Sequence, residues 1–493
     1  MLGSGQEIHP RYLRAIRQTL KDIILPEISS PAGRNAALLC DYILVRMIAA
    51  LEEIPAVRAA HDARYRDLVE AVEGRAAPAD EPLWDLARRL QDAIPSLGAA
   101  LDAGAPEDAA RARRLLAGIA AEDAAFRQDY EAAAKRVDAS AEPTPQALLI
   151  TRDKVQLYLD RRFPGDGIRL ASCQQIPGGR SKITVLLAVE PNGRLPDGMV
   201  MRIDVPGSAI ATTVRDEFPV IEVMYRAGIA APEPLWVEAD PAPLGAPFMV
   251  TRRMKGAAAG DLWGAQLVSP TVGLALAEAL AGVHRADSRA IWPAAPAQAR
   301  DAVRQMLDSY EATLREGDST PSLAMESAYG WLGRNLACID GPTVAVHGDA
   351  HFANLLAEDG RLVCLLDWEF AHPGHPAADL AYCRPYVETI MKWEDFLAHY
   401  RDHGGHKVSE DQLRFFGVWG HLRNITFGAN MLRDFIAGRV HGIQNLAIAI
   451  NTRAKLEALL SRTVAAVAAR DAGADLPSPA LQGGEGGARA AGG

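Results

Sequence analysis

Three oxygen-bearing side chains stand at spacings that suit one reaction: Asp349 and Asn354 within HGDAHFAN (347–354), and Asp367 at the end of the apolar run LVCLLD (362–367). Phosphoryl transfer from a nucleoside triphosphate asks for little covalent help. It needs a base beside the attacking hydroxyl and oxygen ligands that hold Mg²⁺ on the phosphates. An Asp carboxylate and an Asn carbonyl are hard donors of the kind Mg²⁺ prefers. Taken singly, each residue also reads as a loop cap or a turn former; the coincidence of all three spacings is what favours chemistry.

In the kinase template a catalytic Asp precedes a metal-binding Asn by five residues, and a second metal-binding Asp follows the next pair of strands. The order Asp349, Asn354, Asp367 repeats that pattern. HGDAHFAN followed by LLDWEFAHPGHPAADLAY (365–382) resembles the aminoglycoside phosphotransferase or choline kinase-like family, and within it the branch associated with acyl-CoA dehydrogenases, over about residues 165–465. The resemblance implies ATP and Mg²⁺ as cofactors, Asp349 as base, Asn354 and Asp367 as metal ligands, and Asp379 as a structural carboxylate. It also implies that IPGGRSKIT (176–184) forms a hairpin over the phosphates, with Gly178, Gly179 and Ser181 near the anion. Glycines at such a turn let backbone N–H groups approach.

Arg202, in VMRID, stands where such enzymes usually carry Lys, and Glu217 matches the helix carboxylate that pairs with that cation. Glu222 is the competing partner. An Arg keeps the charge but presents a broader fork. Thr251–Met254 matches by position the hinge that receives adenine. His347 reads as a brace for the loop rather than a proton carrier. His351 reads as substrate-facing or as a loop histidine, and Glu369 as a metal contact or a brace for Asp367. His284 reads as a core or capping residue. Trp419 is an aromatic on a late helix that lines the acceptor cleft or simply packs.

Elements that position these residues follow from periodicity. From the start to residue 137, apolar residues recur every three to four positions (Leu13, Ile16, Leu20, Ile24; Leu44, Met47, Ile48, Leu51), which predicts an all-helical accessory domain. DASAEPTPQ (138–146) neither buries apolar surface nor continues a helix, so 138–150 is read as a linker. Lys182–Glu190 and Met199–Val205 are β-branched runs around the turn-forming PNGRLPDG, which predicts adjacent antiparallel strands, with a third at Pro247–Thr251 after a helix at Val214–Ala227. Residues 151–252 are thus the smaller lobe. The helical period then returns over 253–470, interrupted near 343–370, and the Gly/Ala/Pro/Ser-rich 471–493 is expected to be disordered. The expected fold is α+β: a bilobal protein-kinase-like fold, with a small antiparallel β lobe and a larger helical lobe, preceded by an all-α domain.

The chain has 493 residues and a formal net charge of −10, which disfavours nucleic acid as a partner. Its five scattered cysteines form no zinc pattern and suit a reducing compartment. No window is long and apolar enough to span a membrane and no secretion signal is visible, so a cytoplasmic location is expected. The expected function is ATP-dependent phosphorylation of a hydroxyl on a small-molecule alcohol, with a hydroxyacyl-CoA among the candidates. The alternative is a catalytically weak nucleotide-binding regulatory or docking module, with an acyl-CoA dehydrogenase-type enzyme as partner.

Overall fold

In a computed structural model of the chain, residues 13, 17, 20–103, 105–137, 150–176, 182–205, 212–260, 269–315, 322–358, 361–436 and 443–471 are described. The hairpin residues Gly178, Gly179 and Ser181, most of the expected linker and the carboxyl-terminal tail lie outside them. After short helical turns at Leu20–Ile24 and Leu25–Glu27 come α1 (Pro31–Glu52), α2 (Ile54–Glu73), α3 (Leu83–Ala103) and α4 (Pro106–Arg136). Next are α5 (Arg152–Arg162), β1 (Leu170–Ile176), β2 (Lys182–Val189), β3 (Gly198–Asp204), α6 (Val214–Arg226), β4 (Pro234–Glu238), β5 (Phe248–Arg252) and β6 (Ala257–Ala258). Then α7 (Pro270–Arg285), α8 (Ala299–Arg315) and α9 (Leu323–Asn335) lead to β7 (Val344–Val346), β8 (Leu355–Glu358), β9 (Arg361–Leu365) and β10 (His372–Gly374). The chain closes with α10 (Ala377–Val387), α11 (Trp393–Asp402), α12 (Glu410–Ile436) and α13 (Ile443–Asp471).

Packing divides the chain into two compact units, residues 1–145, 307–335 and 421–479 in one, and 146–306, 336–420 and 480–493 in the other. The linear boundaries read from composition differ from this grouping, because α9 and α13 bury apolar faces among the amino-terminal helices. On α4, Ala109, Ala112, Leu116, Ile119, Phe126 and Ala133 are buried at helical spacing. Phe126 packs in one core with Tyr65, Leu86, Leu90 and Leu323. A buried polar network crosses from α4 to α13: Arg127 reaches Asp123 at 3.4 Å and Glu457 at 2.8 Å, and Ser461 donates to Asp123.

In the second unit, five antiparallel strands run in the order β1-β2-β3-β5-β4. Alternation decides which side each residue faces. Ile183, Val185, Leu187 and Val189 of β2 and Met199, Met201 and Ile203 of β3 join Val155 and Leu159 of α5 in one core. The intervening positions face the other side, and the register sets Thr184 opposite Arg202 and Lys182 opposite Asp204. Helix α6 begins with a capping box between Thr213 and Asp216. The antiparallel β lobe followed by helices, with helices before it, is the α+β kinase-like arrangement that the resemblance implies. No described helix is long and apolar enough to cross a membrane.

Candidate active site

The HGD loop leaves the buried strand β7 and turns sharply at Gly348, whose φ is +81°. A Cβ there would lie 2.3 Å from the Phe370 carbonyl oxygen, so only glycine fits. Asp349 follows, and two side chains hold its carboxylate: Tyr382 donates to Oδ1 at 2.6 Å, and Asn354 Nδ2 donates to Oδ2 at 2.7 Å. Asn354 Nδ2 also donates to the Asp349 carbonyl at 3.0 Å. With its amide hydrogens so directed, Asn354 has its carbonyl oxygen to offer a hard cation. His351 Nε2 lies 3.5 Å from Asp349 Oδ2, and its ring sits beside those of Tyr382 and Tyr386 at centroid distances of 6.2 and 5.7 Å.

Asp367 caps the short turn Trp368–Phe370 with φ +66° and ψ 65°, the one non-glycine residue with positive φ among those described. Left-handed backbone at such a residue is strained by about 1 kcal/mol, and strain of this kind gathers at functional sites. Arg202 donates from one guanidinium nitrogen to Asp367 Oδ1 at 2.8 Å and from the other to Glu217 Oε1 at 3.0 Å. Glu217 is fully buried. Burial pushes its carboxyl above the ordinary range, while Arg202 pulls the other way. The rival Glu222 pairs instead with Arg226 at 2.6 Å.

A second cation on the same sheet face escaped the sequence analysis. Lys182 is almost wholly buried, donates to the Thr212 carbonyl at 2.6 Å, and lies 3.4 Å from Asp204 and 3.8 Å from Glu369. Glu369 is also 3.8 Å from Arg202. The signal for Lys182 was its place in an otherwise apolar, alternating run, which the strand reading absorbed. Two cations thus stand among four carboxylates, Asp204, Glu217, Asp367 and Glu369. With Asp367 and Asn354 as oxygen donors and negative charge in excess, the residues fit a hard divalent cation.

Asp379 joins this site from beneath. Fully buried at the start of α10, it accepts from the backbone N–H of His347 at 2.8 Å, of Gly348 at 2.7 Å, and from His284 Nε2 at 3.1 Å. Burial alone raises a carboxyl; here the hydrogen bond and charge from His284 and the His347 amide outweigh it and hold the group below its usual range. His284 is fixed in turn by the Tyr400 hydroxyl, 2.8 Å from Nδ1. His347 accepts at Nδ1 from the Asp349 amide at 3.2 Å and bonds through Nε2 to the Leu366 carbonyl at 3.1 Å. Only an Nε2–H tautomer satisfies both bonds, and burial lowers the ring's proton affinity. Its nitrogens are therefore committed, one to the HGD loop and the other to the backbone beside Asp367. Trp419 is buried.

Asp349, Asn354, His347, His351 and Asp379 are therefore linked through hydrogen bonds and close contacts, and Arg202, Glu217 and Asp367 form a second group. Leu366, next to Asp367, joins the two by donating its N–H to the Asn354 backbone carbonyl at 2.8 Å and by its carbonyl's bond to His347. Residues 172–416 match the model of the phosphotransferase enzyme family. Acyl-CoA dehydrogenase family member 11 of Rattus norvegicus is 25% identical over 348 residues, 64% of this chain and 44% of that protein. The Gallus gallus protein of the same name is 29% identical over 244 residues, 47% of this chain and 30% of that one. The chain thus spans less than half the length of these curated relatives. Among solved structures, macrolide 2′-phosphotransferase from Brachybacterium faecium aligns with TM-score 0.42 and 19% identity over 60% of this chain and 98% of its own. A thermostable mutant aminoglycoside phosphotransferase in ternary complex with ADP and hygromycin B aligns with TM-score 0.43 and 18% identity, over 63% of this chain and 98% of its own. On the strength of the family match, residues 172–416 belong to the phosphotransferase enzyme family.

Proposed function

We propose that this chain is an ATP-dependent small-molecule kinase that transfers the γ-phosphoryl group to an alcohol, and that the alcohol is a hydroxyacyl thioester. The observation that carries the reading is the direct bonding of Asn354 to Asp349 together with that of Arg202 to Asp367. Asp349 is the base. It orients the acceptor hydroxyl, the new oxygen–phosphorus bond forms as the bond from Pγ to the β-phosphate oxygen breaks, ADP leaves, and the hydroxyl proton passes to the Asp349 carboxylate. Tyr382 and Asn354 hold that carboxylate in place. Asn354 and Asp367 would hold Mg²⁺, which when bound would supply charge neutralisation on the phosphates. Arg202 and Lys182 provide positive charge on the sheet face, and Glu217 fixes the Arg202 fork. Acceleration is thus positional and electrostatic. The acceptor class rests on the printed names of the relatives, acyl-CoA dehydrogenases, whose handling of acyl thioesters makes a hydroxylated acyl group the first candidate.

The test is a metabolite screen read as ATP-dependent mass gain, with hydroxyacyl-CoA species beside aminoglycosides and simple alcohols, comparing the natural chain with Asp349→Asn. Phosphorylation of a hydroxyacyl-CoA that disappears in the variant, with nucleotide binding kept, is the expected result. Equal turnover in the variant would overturn Asp349 as base. Phosphorylation confined to another alcohol would overturn the acceptor class. Nucleotide binding without phosphorylation of any acceptor would favour a regulatory or docking module.

A further inference from the structure

We propose that Glu278, His399 and His403 form a zinc-class metal site that clips α7 to α11, on the outer surface of the helical part of the second unit. Each residue offers one ligand atom, and the three atoms lie within 4.8 Å of one another. His399 lies in the last turn of α11 and His403 is the residue that caps its carboxyl end, and their ring centroids are 4.1 Å apart. The carboxylate comes from the neighbouring helix, with Glu278 Oε2 4.0 Å from His403 Nε2.

The bonding of His403 prepares it for this task. Its Nδ1 lies 2.8 Å from the His399 carbonyl oxygen, which can only accept, so the proton sits on Nδ1 and the lone pair on Nε2. That is the nitrogen facing Glu278. A ligating imidazole commonly donates its other N–H to a carbonyl, which fixes both tautomer and ring direction. Metal–ligand distances of about 2.1 Å place tetrahedral donors about 3.4 Å apart, so the set closes by roughly 1 Å. The Glu278 side chain is 64% exposed and His403 36% exposed, so side-chain rotation suffices. Two imidazoles and one carboxylate suit Zn²⁺ or a similar ion, whereas Mg²⁺ disfavours nitrogen donors. The fourth position faces solvent.

The site brackets Tyr400, the α11 residue whose hydroxyl holds His284 and, through it, Asp379. A bound ion would therefore tie together the two helices that support the HGD loop, and its role is structural. This reading stands apart from the proposed phosphotransfer.

The experiment is calorimetric titration of the full chain with Zn²⁺ in excess Mg²⁺, alongside His399→Ala, His403→Ala and Glu278→Gln. The expected result is one micromolar-range site in the natural chain, weakened at least about tenfold by either histidine change and less by Glu278→Gln. Binding should weaken as pH falls, because protons compete for the imidazoles. Co²⁺ should give d–d bands without the thiolate charge-transfer band that binding at a cysteine would produce. All three side chains are outside the buried core, so each variant is expected to fold. Zn²⁺ affinity unchanged in both histidine variants, or a Co²⁺ spectrum dominated by thiolate, overturns the proposal.

Discussion

Replacing Arg202 with alanine removes the cation beside Glu217, a carboxylate with no solvent exposure. Breaking one side of a buried ion pair costs about 3–5 kcal/mol, because the remaining charge is left desolvated. Lys182 also stabilises the charged Glu217, which places the expected loss near the lower end, about 3 kcal/mol at neutral pH. The lost contact to Asp367, whose side chain is 30% exposed, adds at most about 1 kcal/mol. The pH dependence has a definite sign. Glu217 titrates above its unfolded value, and more so without Arg202; a carboxyl raised in this way favours the folded state at low pH and opposes it as pH rises through the raised value. The variant's deficit therefore grows with pH above the ordinary Glu range, by at most about 1.4 kcal/mol per unit. Urea unfolding of the natural chain, Arg202→Ala, Glu217→Gln and the double variant at two pH values is the assay. The double variant should recover much of the loss and show a flatter pH dependence. A deficit in Arg202→Ala that is independent of pH and not relieved by Glu217→Gln would refute the reasoning.

Asp379→Asn exchanges a charged acceptor of three hydrogen bonds for an amide that must turn a donor toward a donor, and should lower stability by about 3–5 kcal/mol. Because the Asp379 carboxyl is held low in the fold, its contribution is present above the unfolded carboxylate range and is lost as pH falls through the folded value. Acid unfolding should therefore be shallower in the variant, as followed by circular dichroism. Gly348→Ala combines positive φ with a backbone clash and should cost about 2–5 kcal/mol, measured as a fall in the thermal midpoint. Tyr382→Phe removes the 2.6 Å bond to Asp349 and should reduce kcat about tenfold with KM for ATP unchanged; an unaltered kcat would show that the tyrosine does not orient the base.

The second half of the site was legible because its spacing is local. Asp349 and Asn354 lie on one short loop, so five residues of separation suffice to bring them together, and the strand pair after them returns Asp367. Lys182 and Tyr382 were not legible for the opposite reason. Lys182 gains meaning only from the register that sets β2 against β3, and Tyr382 only from the entry of α10, which aims its hydroxyl at a residue thirty-three positions earlier. Strands β1 and β4 were missed because LASCQQI and PLWVE are short and weakly patterned, and are held by pairing with neighbours rather than by intrinsic preference. The helices α9 and α13 carry clear periodicity, but periodicity does not name the partner surface. Their place with the amino-terminal helices follows from packing alone.

Where the HGD loop meets the DWE turn, main chain touches main chain with no side chain as spacer. The interval between the proposed base and the proposed metal ligand is therefore gauged by peptide geometry, which hardly varies, rather than by the fit of core side chains. Substitutions in the apolar layers can accumulate with little effect on that interval.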